Sequence, residues 1–368
     1  MIMEYDHMAE LGLAEETQFI CSDHGFITRS NPVRDLCARY VRSGGRLYDV
    51  LSRYDTLAIY ALGKDTGNAG LVNRWVVPFL KAGGITDGAA YEFCRQATTM
   101  MPDSQKVMRY LSAQMPTFIS SESYEHSLLS IGAGSDIPLS NISCNMFSFD
   151  SIKVGRQDAR VLRSIADKLV NARLYEEHYS ITESRYLNKY DSKLMDFVDD
   201  EFFKKIEKMD FMDELKKSVA IAGNEKAYAV LELCRKKEIE MGSTIIVGCD
   251  DSDYPAMDLV RDSDGLSISF NGNEYAVRGS NVAIIDENPI TVALLSMEFY
   301  NGGIESVYEM IEHWNHDDLK SRPCADRNLM NSFLAQFPKK LPDVYRVDDD
   351  NLKSVTEASI AYRKRILL

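Results

Sequence analysis

The chain has 368 residues, 45% of them hydrophobic, enough for a sizeable core and for about two domains or one core with large insertions. A formal net charge of −14 offers no basic face for a phosphate backbone and argues against a nucleic-acid partner; no apolar run approaches the roughly 18 residues of a membrane span. The seven cysteines (21, 37, 94, 144, 234, 249 and 324) are odd in number, scattered and without a CxxC pair, which reads as free thiols of a cytoplasmic protein.

The first segment, MIMEYDHMAELGLAEE, is acidic and carries neither the basic nor the apolar region of a signal peptide. Thr17 to Cys21 is a short apolar run that reads as a strand, ending in the glycine-containing turn Ser22-Asp23-His24-Gly25. Residues 33 to 110 carry apolar positions at helical spacing, interrupted at Ser43-Gly44-Gly45. Met115 to Ser121 is a second strand, closing on the hydroxyls of Ser120 and Ser121 and followed by Glu122-Ser123-Tyr124-Glu125-His126. Taken alone, such a serine is more often a cap, and His126 fits a helix surface as readily as a site. Phe147-Ser148-Phe149-Asp150 alternates like a strand, and Ala159 to Ala172 is an amphipathic helix with Leu162, Ile165 and Leu169 on one stripe. Another helix starts near Ala222, with Lys226 in its first turn, and runs to about Glu238.

The most informative stretch is Thr244 to Ile284. Thr244-Ile245-Ile246-Val247 is a β-branched run of the kind found in buried strands, and Gly248 ends it. Asp250, Asp251 and Asp253 then form an acidic turn, which by itself reads as solvated. Carboxylates just past the C-terminal end of a buried strand, however, sit where open α/β sheets bind ligands, and oxygen ligands of this kind suit Mg²⁺. A short helix (Ala256 to Arg261), a strand (Gly265 to Phe270) and the turn Asn271-Gly272-Asn273 follow. Beyond Ile284 come a turn at Asp286-Glu287-Asn288-Pro289, two helices broken near Gly302-Gly303, and a tail with basic residues Arg363-Lys364-Arg365. No GxSxG, P-loop or complete GxGxxG occurs.

Gly248, Asp253, Met257, Gly265 and the run Phe270 to Ala276 resemble the last motif of the haloacid dehalogenase (HAD) superfamily of phosphatases. Within it they are similar to an archaeal subgroup that includes a protein described as a regulatory-type subunit of an energy-converting hydrogenase. The resemblance implies a first motif, Asp-x-Asp/Glu-Gly-x-h-Thr, at Ser22 to Thr28, in one of two registers. Without a gap, Ser22 stands at the nucleophile position and His24 at the acid/base position; aligned on the strand, Asp23 is the nucleophile and no second acid follows. It implies phosphate binding by Ser121, or Ser120, and by Lys226, whose charge would stabilise a phosphoryl group. It implies Mg²⁺ held by Asp23, Asp250 and Asp253, although Cys249 replaces the first acid of the last motif.

The fold implied is α/β: a three-layer, HAD-like (Rossmann-type) core with a parallel sheet and a helical cap insertion. Residues 15–32 and 106–300 would form the core, with an insertion at about 140–220; residues 33–105 the cap; and residues 301–368 a helical extension away from the chemistry. Two functions follow from different classes. One is a degenerate phosphatase-fold protein that binds a phosphate, an anionic metabolite or a protein partner. The other is an active Mg²⁺-dependent phosphomonoester hydrolase with Asp23 as nucleophile and Asp250 or Asp251 with Asp253 as the acidic pair. They differ in whether Ser22 or Asp23 faces the carboxylates after Val247.

Overall fold

The structure is a computed structural model and describes residues 16–63, 69–174 and 187–367. Its centre is a seven-stranded sheet in the order β3-β2-β1-β4-β5-β6-β7. The strands are β1 (Gln18–Cys21), β2 (Thr117–Tyr124), β3 (Ile142–Asn145), β4 (Thr244–Gly248), β5 (Leu266–Phe270), β6 (Val282–Ile285) and β7 (Asp343–Arg346). All neighbours are parallel except β6 and β7.

Every residue of β1, β4 and β5 is buried, because helices cover both faces, as a parallel sheet requires. Strand alternation sorts the side chains. Phe19, Cys21, Ile119, Val247 and Phe270 face one core, covered by α6 (Ser104–Gln114) and α14 (Ile290–Glu312). Ile20, Phe118 and Ile246 face the other, covered by α11 (Gly223–Lys237) and α12 (Tyr254–Arg261). This three-layer, Rossmann-like α/β architecture is the one expected from the sequence.

The remaining helices of the first insertion are α1 (Pro32–Tyr40), α2 (Gly44–Thr56), α3 (Val72–Trp75), α4 (Val77–Ala82) and α5 (Asp87–Ala97). After α7 (Glu125–Ser135) and β3, a second insertion carries α8 (Arg156–Leu169), α9 (Lys189–Val198) and α10 (Phe211–Leu215). The two insertions share one hydrophobic core, in which Leu51, Tyr54 and Trp75 meet Leu162, Phe202 and Met212. A five-residue π-helical segment, Leu57–Ala61, prolongs α2 towards the strand ends.

Two expectations are corrected. Phe147 to Asp150 is not a strand, and the third strand lies just before it. Asp87 accepts the main-chain N–H of Phe149 (2.6 Å) and of Asp150 (3.3 Å), which bends this segment away from the sheet and stacks Phe147 and Phe149 edge-on against Tyr124. The C-terminal extension is not wholly helical either. Beyond α13 (Glu274–Arg278) and β6, the broken helix α14 leads into it; after α15 (His316–Ser321) and α16 (Arg327–Gln336) it contributes β7 to the sheet, then α17 (Leu352–Ile366). The break in α14 falls at Gly303, with φ of 69°. Val355 of α17 packs on Val277 and Ala283, and Ser359 donates to the Gly272 carbonyl (2.7 Å).

Candidate functional site

β1 pairs with β2 on one side and β4 on the other, Cys21 lying opposite both Ile119 and Val247. The chain then winds outward in opposite directions, so the C-terminal ends of β1 and β4 flank a topological switch point, where α/β sheets hold ligands. Ser22, Asp23, His24, Ser120, Ser121, Lys226, Asp250 and Asp253, the residues singled out in the sequence, all gather at these strand ends. They divide into three networks.

Alternation along β1 carries Asp23 to the same face as Cys21, beside Ser121 and Ser123 of β2. Ser121 donates to one carboxylate oxygen of Asp23 and Ser123 to the other (3.0 Å). Asp23 is fully buried and forms no ion pair among the described residues. Burial, then the charge of Glu122, raises its pKa above the ordinary range, against the pull of the two serines and His24.

The opposite face presents Ser22, Ser120 and Glu122. The hydroxyls of Ser22 and Ser120 are buried with no hydrogen-bond partner. Glu122 pairs with the ammonium of Lys226, which also reaches Ser252 Oγ (3.0 Å) and Asp253 Oδ1 (2.7 Å). Burial alone would lower the Lys226 pKa; Asp253 and Glu122 together outweigh it and hold the side chain protonated. The second oxygen of Asp253 accepts the N–H groups of Cys249 (2.8 Å) and Asp250 (3.1 Å), fixing the turn after β4.

The third network lies in the switch-point crevice. His24 Nδ1 and Asp250 Oδ2 are 2.9 Å apart, and Cys249 Sγ is 2.6 Å from the His24 carbonyl oxygen and 3.5 Å from Asp250 Oδ2. Arg363 of α17 binds the other oxygen of Asp250 and the carbonyls of Cys249 (3.0 Å) and Asn271 (3.2 Å). Burial opposes ionisation of Asp250, but Arg363 and then His24 hold its carboxyl far below the ordinary range. The first insertion closes over this loop: Thr56 donates to Asp251 Oδ2 (2.6 Å) and Tyr60 to the Asp251 carbonyl (2.7 Å), while Tyr60 stacks on Tyr275.

The carboxylates expected to share Mg²⁺ do not converge. Among the described residues, the only group of three or more potential ligands with atoms within 4.8 Å of one another is His24, Cys249 and Asp250. Asp23 lies on the Cys21 face, held by the serines of β2, and Asp253 is committed to Lys226 and two backbone N–H groups. A thiol, an imidazole and one carboxylate already paired with a guanidinium do not make the octahedral oxygen shell that Mg²⁺ demands. The residues present do not fit Mg²⁺.

Several of these partners, Glu122, Ser123 and Arg363 among them, were given no site role from the sequence. Glu122 and Ser123 follow from the period of two that separates Ser120 from Ser121. Arg363 carries no local signal, since it lies 113 residues from Asp250 in a basic run typical of a surface helix end. The tail, expected to stay far from the candidate site, reaches into it through Arg363. His126 lies elsewhere, buried against Asp87 (3.0 Å).

No family model and no curated protein matches the chain. The solved structure of gene product AF1437 from Archaeoglobus fulgidus is similar to it, with a TM-score of 0.75 at 21% identity over 95% of this chain and 96% of that one. At that identity the likeness shows the fold. None of the helices described is long and apolar enough to cross a membrane.

Proposed function

We propose that this chain is a HAD-like protein whose hydrolytic machinery is disabled and whose strand-end residues bind a phosphorylated or otherwise anionic small molecule. One observation carries the reading: Ser22, not Asp23, shares a face with Ser120, Glu122 and the Lys226 network, so the gap-free register places a serine where a phosphatase keeps its nucleophilic carboxylate. Asp23 has both oxygens taken by serines, and burial with the charge of Glu122 outweighs His24 in opposing its ionisation, the opposite of what nucleophilic attack on phosphorus needs. The two unpartnered hydroxyls of Ser22 and Ser120 are neutral donors suited to a phosphoryl oxygen. Lys226 contributes charge that Glu122 and Asp253 already balance, so binding is expected to be weak and to depend on the hydroxyls.

The test is Mg²⁺-dependent phosphate release from a broad phosphomonoester panel, run beside folded Asp23→Asn and Asp253→Asn proteins. The expected result is no turnover above the variants, together with phosphate-induced chemical-shift changes that Ser22→Ala removes. Turnover abolished by both aspartate substitutions would overturn the proposal and make Asp23 the nucleophile of an active hydrolase.

A further inference from the structure

The ends of β1 and β4 hold a side-chain constellation that the Ser22 face does not use. His24, Cys249 and Asp250 come from the ends of two adjacent strands, and each offers a ligand atom within 4.8 Å of those of the other two. Their separations of 2.9 Å and 3.5 Å about Asp250 Oδ2 approach the roughly 3.3–3.6 Å between ligand atoms of a tetrahedral ion with bonds of about 2.0 Å to N or O and 2.3 Å to S. The chain makes room for the sulfur: residue 25 has φ of 82°, and a Cβ there would overlap Cys249 Sγ, so only glycine lets the thiol stand where it does. His24 and Asp250 retain 14% and 19% side-chain exposure, which leaves the crevice open on one side. Arg363 grips Asp250 through its other oxygen, the kind of outer partner that orients a ligating carboxylate.

We propose that His24, Cys249 and Asp250 form a three-ligand site for a thiophilic divalent cation, zinc above all, in the place where the HAD resemblance implies Mg²⁺. Thiolate and imidazole select zinc over magnesium, and three protein ligands leave a fourth corner of the tetrahedron for water or a bound molecule. Binding removes two protons, one from the Cys249 thiol, now donated to the His24 carbonyl, and one from between His24 Nδ1 and Asp250. The site does not depend on anion binding or on loss of hydrolysis.

The experiment is titration of the full-length, chelator-treated and reduced protein with Co²⁺, followed by displacement with Zn²⁺. A thiolate-to-cobalt charge-transfer band with tetrahedral d–d bands is expected at one ion per chain, with release of up to two protons and no displacement by millimolar Mg²⁺. Cys249→Ser should abolish the charge-transfer band, and His24→Gln should weaken binding at least tenfold while keeping it. Because Cys249 is buried, near-UV circular dichroism and a Cys234→Ser control accompany the variants. Failure to bind Co²⁺, or a charge-transfer band that survives Cys249→Ser in a folded protein, would overturn the proposal; either result leaves the phosphate-release and phosphate-binding tests unaffected.

Discussion

The sulfur of Cys249 lies 2.6 Å from the carbonyl oxygen of His24, so the loops after β1 and β4 are tied together through a side chain as well as through the sheet. Gly25 makes this approach possible, with φ of 82° and no Cβ to meet the sulfur. Gly25→Ala should therefore cost about 2–4 kcal/mol, from left-handed strain together with overpacking. Cys249→Ala in the same chain should restore part of that loss, and denaturation midpoints of the single and double variants measure the coupling. Strict additivity would show that the two residues do not meet.

Lys226 is a buried cation between two carboxylates. Replacing it by Met leaves Glu122 and Asp253 without their shared counter-charge and should destabilise the fold by about 3–5 kcal/mol. Adding Glu122→Gln and Asp253→Asn should recover much of the loss, because the unpaired charges leave with the lysine. A triple variant no more stable than Lys226→Met would mean that the lysine acts through its packing.

Burial pushes Asp286 up to about 7 and Asp251 up to about 6, from near 3.8. The folded protein thus binds these protons more tightly than the unfolded chain does. Their contribution is fully present below about pH 4 and is lost as pH rises to about 7, by up to about 1.4 kcal/mol per pH unit for each group. His24 acts in the same direction: burial would lower its pKa, but Asp250 outweighs burial and raises it. Thermal midpoints should fall between about pH 5 and 7, and Asp286→Asn should flatten the fall and raise stability at pH 7.5. Parallel curves for the two proteins would sink this assignment.

Arg363→Gln removes the guanidinium from Asp250 while keeping a hydrogen-bonding side chain. We expect a loss of about 1–3 kcal/mol, since Asp250 retains His24 as a partner. The charge of Arg363 also acts to lower the His24 pKa, so the variant should titrate His24 at a higher pH by NMR. An unchanged His24 titration would place the guanidinium outside the network.

Strands β1, β2, β4 and β5 were legible because their patterns are local, whereas β3, β6 and β7 were not anticipated. Thr244 to Val247 is β-branched and bounded by glycine, and the turn at Asn271 to Asn273 ends in a true N-cap, Asn273 accepting from Tyr275 and Ala276. The placement of Ser22, Ser121, Lys226 and Asp253 at strand and helix ends follows from the same punctuation. What the sequence could not resolve was the register of the turn after β1, which depends on which face of β2 and β4 each residue meets. Arg363 was illegible for a different reason: a basic residue near a helix end is ordinarily solvated, and only the docking of α17 on β6 turns it inward.

The strand that carries Ser22 to His24 has no partner close to it along the chain. Asp23 meets Ser121 across 98 residues and His24 meets Asp250 across 226. Closing loops of that size carries an entropic cost before any contact compensates it, which makes the assembly of this sheet slow. Until β2 and β4 arrive, both edges of an apolar β1 are exposed to any other chain. The Ser22 amide, bonded to the Val247 carbonyl at 3.1 Å, should therefore exchange its hydrogen only when the whole sheet opens. Kinetic vulnerability thus resides in the same few residues at the centre of the sheet that the proposed function would use.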